Sequence, residues 1–273
     1  MTYMFDMDIK KRENLGMKTY WIDTHCHMND ETYRDNLDEY MQRAWDFNVH
    51  RNMFICMNRA DLEETFRLKE KYPYIDIAFG YHPEDVDKIT DEDMAYMEKI
   101  IRDERIIAIG EIGLDYYWDK TYKEEQKKLF IRQLELANEV SKPVLIHSRS
   151  AAQDTYDILK ANARTKVLMH CFGESNEMMK EYLKLGYYIA FGGVVTFKNA
   201  RVPKENAASV PLDRLMLETD CPYMTPVPFR GKTNETAYVR YVGEYIAELR
   251  NIEVEVLQKQ LMENYRRFFG EEN

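Results

Sequence analysis

Cysteine is scarce in this chain of 273 residues: there are four, Cys26, Cys56, Cys171 and Cys221, far apart and without CxxC spacing. That pattern offers neither a disulfide framework nor a zinc knuckle and leaves reduced thiols as the expectation. Long apolar runs are also missing. None approaches the ~20 residues that span a bilayer, and the first residues lack the apolar centre of a secretory signal, so a cytoplasmic protein without a membrane span is expected. Basic residues are outnumbered, 38 Lys and Arg against 48 Asp and Glu, for a formal net charge of -10. A protein that coats nucleic acid needs a broad basic face, so that mode is excluded, whereas a site gripping one or two phosphates is not.

What is present suits one large core. Hydrophobic residues make up 45% and aromatics 13% of the chain, and α/β barrels commonly run to about 250 residues as a single unit. From Tyr20 onward, eight short β-rich runs alternate with stretches of helical period. The runs are Tyr20–His27, Asn52–Met57, Ile75–Tyr81, Ile106–Ile112, Val144–Ser148, Val167–Cys171, Tyr187–Gly192 and Leu215–Asp220. Tyr122–Val140 spaces Leu129, Gln133, Leu136, Ala137 and Val140 as one face of a helix. Two more helices are expected near Glu235–Leu249 and Val254–Phe269, with no linker between them. The expected architecture is a single-domain α/β fold, a (β/α)₈ TIM barrel over residues 19–273, preceded by a flexible leader, residues 1–18, that contains Met17. The seventh crossover, interrupted by Pro203, is expected to hold only a short helix.

Reactive groups in such a barrel sit where strands end. Five of the six histidines, His25, His27, His82, His147 and His170, fall at or just beyond an expected strand end, and only His50 precedes one. Strand alternation puts His25 and His27 on one side, with Asp23 one step deeper as a group to orient a ligand. Cys26, Cys171 and Cys221 take the opposite direction and are expected to pack against the helices. Glu111 ends the apolar run Ile106–Gly110; a carboxylate buried there needs a cation, or else an ion pair with Arg149. His147, His170 and Asp220 end the fifth, sixth and eighth runs. His25, His27 and Asp220 would then gather around one divalent metal and Glu111, His147 and His170 around another, with Glu111 shared. Two divalent cations, two carboxylates and a hydroxide sum to about +1, which suits attack on an anionic ester with metals ~3.5–4 Å apart. Asp220 is also placed to take the proton from the activated water. Four imidazoles favour zinc, nickel, manganese or iron over a magnesium-only site.

These residues lie in DTHCH (23–27), GYHP (80–83), IGEIGLDYY (109–117), PVLIHSR (143–149), HCFGES (170–175), GGVVTFKNA (192–200), LETDCPY (217–223) and PVPFRGKTNE (226–235). In this ordered set, which covers nearly the whole chain, the sequence resembles the TatD family of metal-dependent hydrolases within the amidohydrolase superfamily. The resemblance implies a barrel, one or two divalent metals, and phosphodiester hydrolysis of the deoxyribonuclease type. It assigns metal roles to His25, His27, Glu111, His147, His170 and Asp220, and makes His82 the histidine that meets the substrate phosphate. Arg230, with Lys232 and Arg149 nearby on the same barrel face, could grip a phosphate. The expected substrate is a single-stranded or frayed DNA end, taken by a monomer with no evident protein partner. The alternative is hydrolysis of a carboxylic ester or cyclic amide, which the same two-metal water could attack. Against that alternative stands Glu111, where many binuclear amide hydrolases bridge their metals with a modified lysine.

Overall fold

A computed structural model describes residues 19–270; the expectation for residues 1–18 lies outside them. Eight parallel strands pair in chain order, β1 (Trp21–Cys26), β2 (Val49–Cys56), β3 (Ile75–Phe79), β4 (Ile106–Asp115), β5 (Val144–Arg149), β6 (Val167–Met169), β7 (Tyr188–Phe191) and β8 (Leu215–Leu217). Both faces of the sheet are covered, which is why the strands read as nearly continuous apolar runs. Among the described residues seven crossover helices join them, α1 (Leu37–Asp46), α2 (Arg59–Lys71), α3 (Asp91–Ile100), α4 (Lys123–Val140), α5 (Ala152–Asn162), α6 (Asn176–Lys184) and α7 (Arg201–Ser209), and α8 (Val239–Arg250) follows β8.

Two apolar layers result. Outward-facing strand residues such as Phe54, Phe79, Ile109, Ile146 and Leu217 pack beneath the helices. Inward-facing Ile22, Met53, Ile55, Ala78, Ala108, Leu145, Leu168 and Met216 fill the barrel, and a ninth helix, α9 (Val254–Phe269), plugs its lower end with Met262, Tyr265 and Phe268. Against that plug the barrel holds the ion pair Arg51–Asp76, with Tyr265 donating to Asp76 at 2.5 Å. The lower end is therefore sealed and structural, and the upper end is left for chemistry.

Several local readings need correction. β2 begins at Val49, so His50 lies within a strand; it is buried at the lower end against Trp45, its Nε2 3.1 Å from Asn48 Oδ1. β4 runs three residues beyond Ile112, because Gly113, Leu114 and Asp115 continue the pairing with His147, Ser148 and Arg149. Only a glycine fits at 113: its φ is +145°, and a Cβ there would lie 2.0 Å from the His147 carbonyl oxygen. β6 and β8 stop earlier than expected, so His170 and Asp220 stand just above them. Left-handed backbone at Cys171 (φ 44°) and Asp220 (φ 53°) turns the chain out of the ladder there. The seventh crossover, by contrast, holds the short helix expected of it, α7, with Pro203 in its first turn, where no helical N–H bond is lost.

β1 and β8 close the barrel through a seam of specific bonds. Asp220 N–H donates to the His25 carbonyl and His27 N–H to the Cys221 carbonyl, both at 2.9 Å. Thr24 Oγ1 donates to the Leu217 carbonyl at 2.9 Å. The two expected histidines of β1 and the expected carboxylate beyond β8 are thus fixed to each other through backbone.

Candidate metal centre

Strict alternation would not by itself bring these side chains together. On β1, Ile22 points into the barrel, and an irregularity opposite β2 between Asp23 and Cys26 resets the alternation, so that His25 and His27 point inward and Cys26 outward. On β4, three residues from Ile109 to Ile112 span two on β5, and this bulge does the same for Glu111; the Gly110–Glu111 peptide within it is cis. Bulges beside reactive sites re-aim side chains in this way. One consequence corrects the sequence reading of Asp23. It lies before the reset, and its carboxylate accepts from Thr219 N–H at 2.9 Å and Thr219 Oγ1 at 2.6 Å, so it holds the β8 end of the seam instead of an imidazole. Burial pushes its pKa up to about 7 against those hydrogen bonds.

Seven side chains meet at the upper end, with Glu111 at the centre. Its Oε2 lies 3.2 Å from His25 Nε2 and 3.8 Å from His27 Nε2. Its Oε1 lies 2.7 Å from His147 Nδ1, 2.9 Å from His170 Nε2 and 3.7 Å from His82 Nε2. Asp220 Oδ1 completes the first side, 3.4 Å from His27 Nε2 and 3.7 Å from His25 Nε2. Three sets have ligand atoms close enough to hold an ion: His25, His27 and Asp220; His25, Glu111 and His170; and His82, Glu111 and His147. Of the two sets expected from sequence, His25, His27 and Asp220 form one of these three, whereas Glu111, His147 and His170 are divided between the other two, which also take in His25 and His82.

The donor set fits divalent cations. His25 Nε2 and His27 Nε2 face each other at 3.3 Å, and the His25 and His170 rings stack at 3.9 Å. Such crowding of nitrogen lone pairs and carboxylate oxygens in a buried site requires positive charge among them. Protonation shows the same demand. Burial opposes charge throughout, yet Glu111 is held well below the carboxylate range by His170, His25 and His82, and Asp220 is lowered by His27 and His170. His147 is likewise desolvated, but Asp115 and Glu111 raise its pKa to about 9.

Two residues that the sequence reading passed over orient the histidines. Asp115 Oδ2 lies 2.9 Å from His147 Nε2, so the ring is held between two carboxylates. Glu218 Oε1 lies 3.3 Å from His170 Nδ1 and accepts from Cys171 N–H at 2.7 Å. Glu218 shares the direction of Asp220 on the same expected run, and that parity is its available signal, whereas Asp115 lies beyond the run expected to end at Ile112. Asp115 itself is gripped by Gln126, which accepts from its N–H and donates to its carbonyl, both at 2.9 Å.

The expected phosphate-binding residues are not gathered as tightly. His82 is, but Arg149 makes no ion pair with Glu111. Its guanidinium lies 4.0 Å above the Tyr117 ring. Arg230 lies 3.8 Å above Phe197, and the Lys232 ammonium is 5.6 Å from the Phe229 ring; all three cations are exposed, Arg149 at the upper end of β5 and the other two on the loop after β8. The four cysteines are free; of the three expected to pack against the helices, Cys26 and Cys221 are buried, whereas Cys171 is only half-buried, its Sγ 3.7 Å from Met224 Sδ.

Comparison with known proteins agrees with this geometry. The family model for TatD-related DNases matches residues 22–270. The chain belongs to the TatD family. This TatD chain is 44% identical over 250 residues to the uncharacterized metal-dependent hydrolase YabD of Bacillus subtilis, covering 91% of the one and 98% of the other. It is 34% identical to the uncharacterized metal-dependent hydrolase YcfH of Escherichia coli K12, with 92% and 96% covered. Among solved structures, YJJV, a TatD homologue from Escherichia coli K12, superposes with a TM-score of 0.88 at 29% identity, over 94% of this chain and all of that one. The TatD chain is therefore a metal-dependent hydrolase on a TIM barrel. None of its described helices is long and apolar enough to cross a membrane.

Proposed function

We propose that the protein is a phosphodiesterase that removes nucleotides from single-stranded or frayed DNA ends, working as a cytoplasmic monomer. The observation that carries this reading is the division of Glu111, with one oxygen among His25 and His27 and the other among His147 and His170. His25, His27 and Asp220 would hold one divalent cation, His147 and His170 a second, and Glu111 both. When bound, such cations supply Lewis acidity to the scissile ester and lower the proton affinity of water.

The chain's own residues do the rest. Asp220 is buried, kept ionised by its histidine neighbours and placed at the edge of the cluster, so it accepts a proton from the attacking water. His82 Nδ1 accepts from Glu84 N–H at 3.3 Å. A neutral ring bonded in this way carries its proton on Nε2, the atom facing the cluster, and is set to donate to a phosphoryl oxygen rather than to ligate. Arg149, Arg230 and Lys232 add positive charge around the mouth. The ligands are buried, and a recessed site suits an unpaired strand better than an intact duplex.

Asp115 orients His147, so Asp115→Asn is expected to weaken divalent metal binding about 10- to 100-fold without unfolding the chain, as read by competition with a fluorescent chelator. Wild-type affinity in the variant would remove that role. For the reaction, single-stranded DNA labelled at either end is incubated with chelator-stripped protein and added manganese. Release of labelled mononucleotides from one end, with closed circular strands resistant, is the expected result. Circles cut as fast as linear strands would refute attack at ends, and intact DNA alongside turnover of a dihydropyrimidine or aminoacyl ester would transfer the site to carbonyl chemistry.

A further inference from the structure

The aromatic surface of the molecule is distributed unevenly. Among the described residues only four aromatic side chains are exposed, Tyr117 (55%), Trp118 (66%), Tyr122 (38%) and Tyr223 (59%), and all four lie on the upper loops after β4 and β8. Every other described aromatic is at least half-buried. A globular protein scatters exposed apolar residues singly, whereas a concentration beside a reactive cleft marks a ligand surface.

Two of these groups flank the metal cluster on different sides. Tyr117 follows Asp115 by two residues, and its N–H donates to Asp115 Oδ1 at 2.8 Å; the other oxygen of Asp115 holds His147. Trp118 stands edge-on to Tyr117 at 4.8 Å, and the Arg149 guanidinium lies 4.0 Å from Tyr117 and 5.2 Å from Trp118. The root of this group is rigid, since Tyr116 N–H donates to the Arg149 carbonyl at 2.9 Å and Gln126 clamps Asp115. Tyr223 stands on the side of the first subsite, its ring centroid 6.5 Å from that of His27.

We infer that these are two nucleobase platforms, Tyr117–Trp118 with Arg149 on one side and Tyr223 on the other, which stack the bases flanking the scissile phosphate of an unpaired strand. The inference rests on the phosphodiesterase reading above and adds how the substrate is held. Planar π surfaces and a planar cation recognise bases of any sequence by stacking. Paired bases in a duplex present only their edges, so the platforms select single strands and discriminate little among bases. The net charge of -10 gives such stacking added weight, because long-range phosphate attraction is weak.

The test measures binding without turnover. In an Asp220→Asn background, fluorescence anisotropy follows a labelled hexathymidylate and an oligomer of the same length made of abasic sugar phosphates. Stacking on each platform predicts that the thymidylate binds more tightly than the abasic chain. Trp118→Ala and Tyr223→Ala should each weaken thymidylate binding about 5- to 100-fold, with Trp118→Phe largely restoring it and abasic binding unchanged. Equal affinity for the two oligomers, or alanine variants that bind both as before, would overturn the inference. Tight, aromatic-dependent binding by a wild-type enzyme that cuts no DNA would leave the platforms standing and remove the phosphodiesterase reading instead.

Discussion

Glu111→Gln is expected to lower turnover about 10³-fold and to prevent recovery even when manganese is raised to millimolar levels. The substitution keeps the shape of the side chain but replaces an anionic oxygen with an amide nitrogen that cannot ligate. Because Oε2 and Oε1 face different histidines, the change damages both halves of the cluster at once, unlike loss of any single imidazole. Lewis-acid stabilisation of several kcal/mol, taken as ~4 kcal/mol, corresponds to about a 10³-fold loss of turnover. Steady-state kinetics across a manganese titration, with circular dichroism to verify folding, checks it. Recovery of wild-type turnover at high manganese would show that Glu111 does not tie the two halves together.

The second large effect is expected at Asp220. Asp220→Asn preserves the left-handed backbone, since asparagine tolerates that region as well as aspartate does, and it retains a carbonyl oxygen toward His27. It removes the proton acceptor and one anionic ligand. We expect kcat to fall by about 10³-fold or more with KM little changed, while the His147–His170 side still binds metal. A variant that loses affinity for DNA but keeps kcat would make Asp220 a substrate contact and leave the base to be found elsewhere.

Much of this is legible in the sequence. Alternating strand and helix runs give the barrel, and histidines at equivalent strand ends give the cluster, because a TIM barrel converts position at a strand end into convergence at one mouth. What could not be read was the local geometry that departs from strict alternation. The bulges of β1 and β4 turn His25 and Glu111 inward, yet nothing in Asp23–Cys26 or Ile109–Ile112 announces an extra residue. The same gap explains Asp23, which alternation placed behind the ligands and which instead secures Thr219. Asp115 escaped notice because β4 was ended at Ile112, before the pairing that carries Gly113–Asp115 alongside His147–Arg149. His50 was misplaced for the complementary reason: its strand starts earlier than its apolar run. Arg149 and Arg230 show a further limit, since sequence gives a cation's place on a loop but not the aromatic ring it settles against.

The most direct single measurement is turnover of a single-stranded oligonucleotide by chelator-stripped protein as manganese is added one equivalent at a time. A metal pair sharing Glu111 predicts no activity without metal and a rise that is complete at two equivalents per chain. Full activity in the stripped protein, saturation at one equivalent, or no cleavage at any manganese level would contradict it.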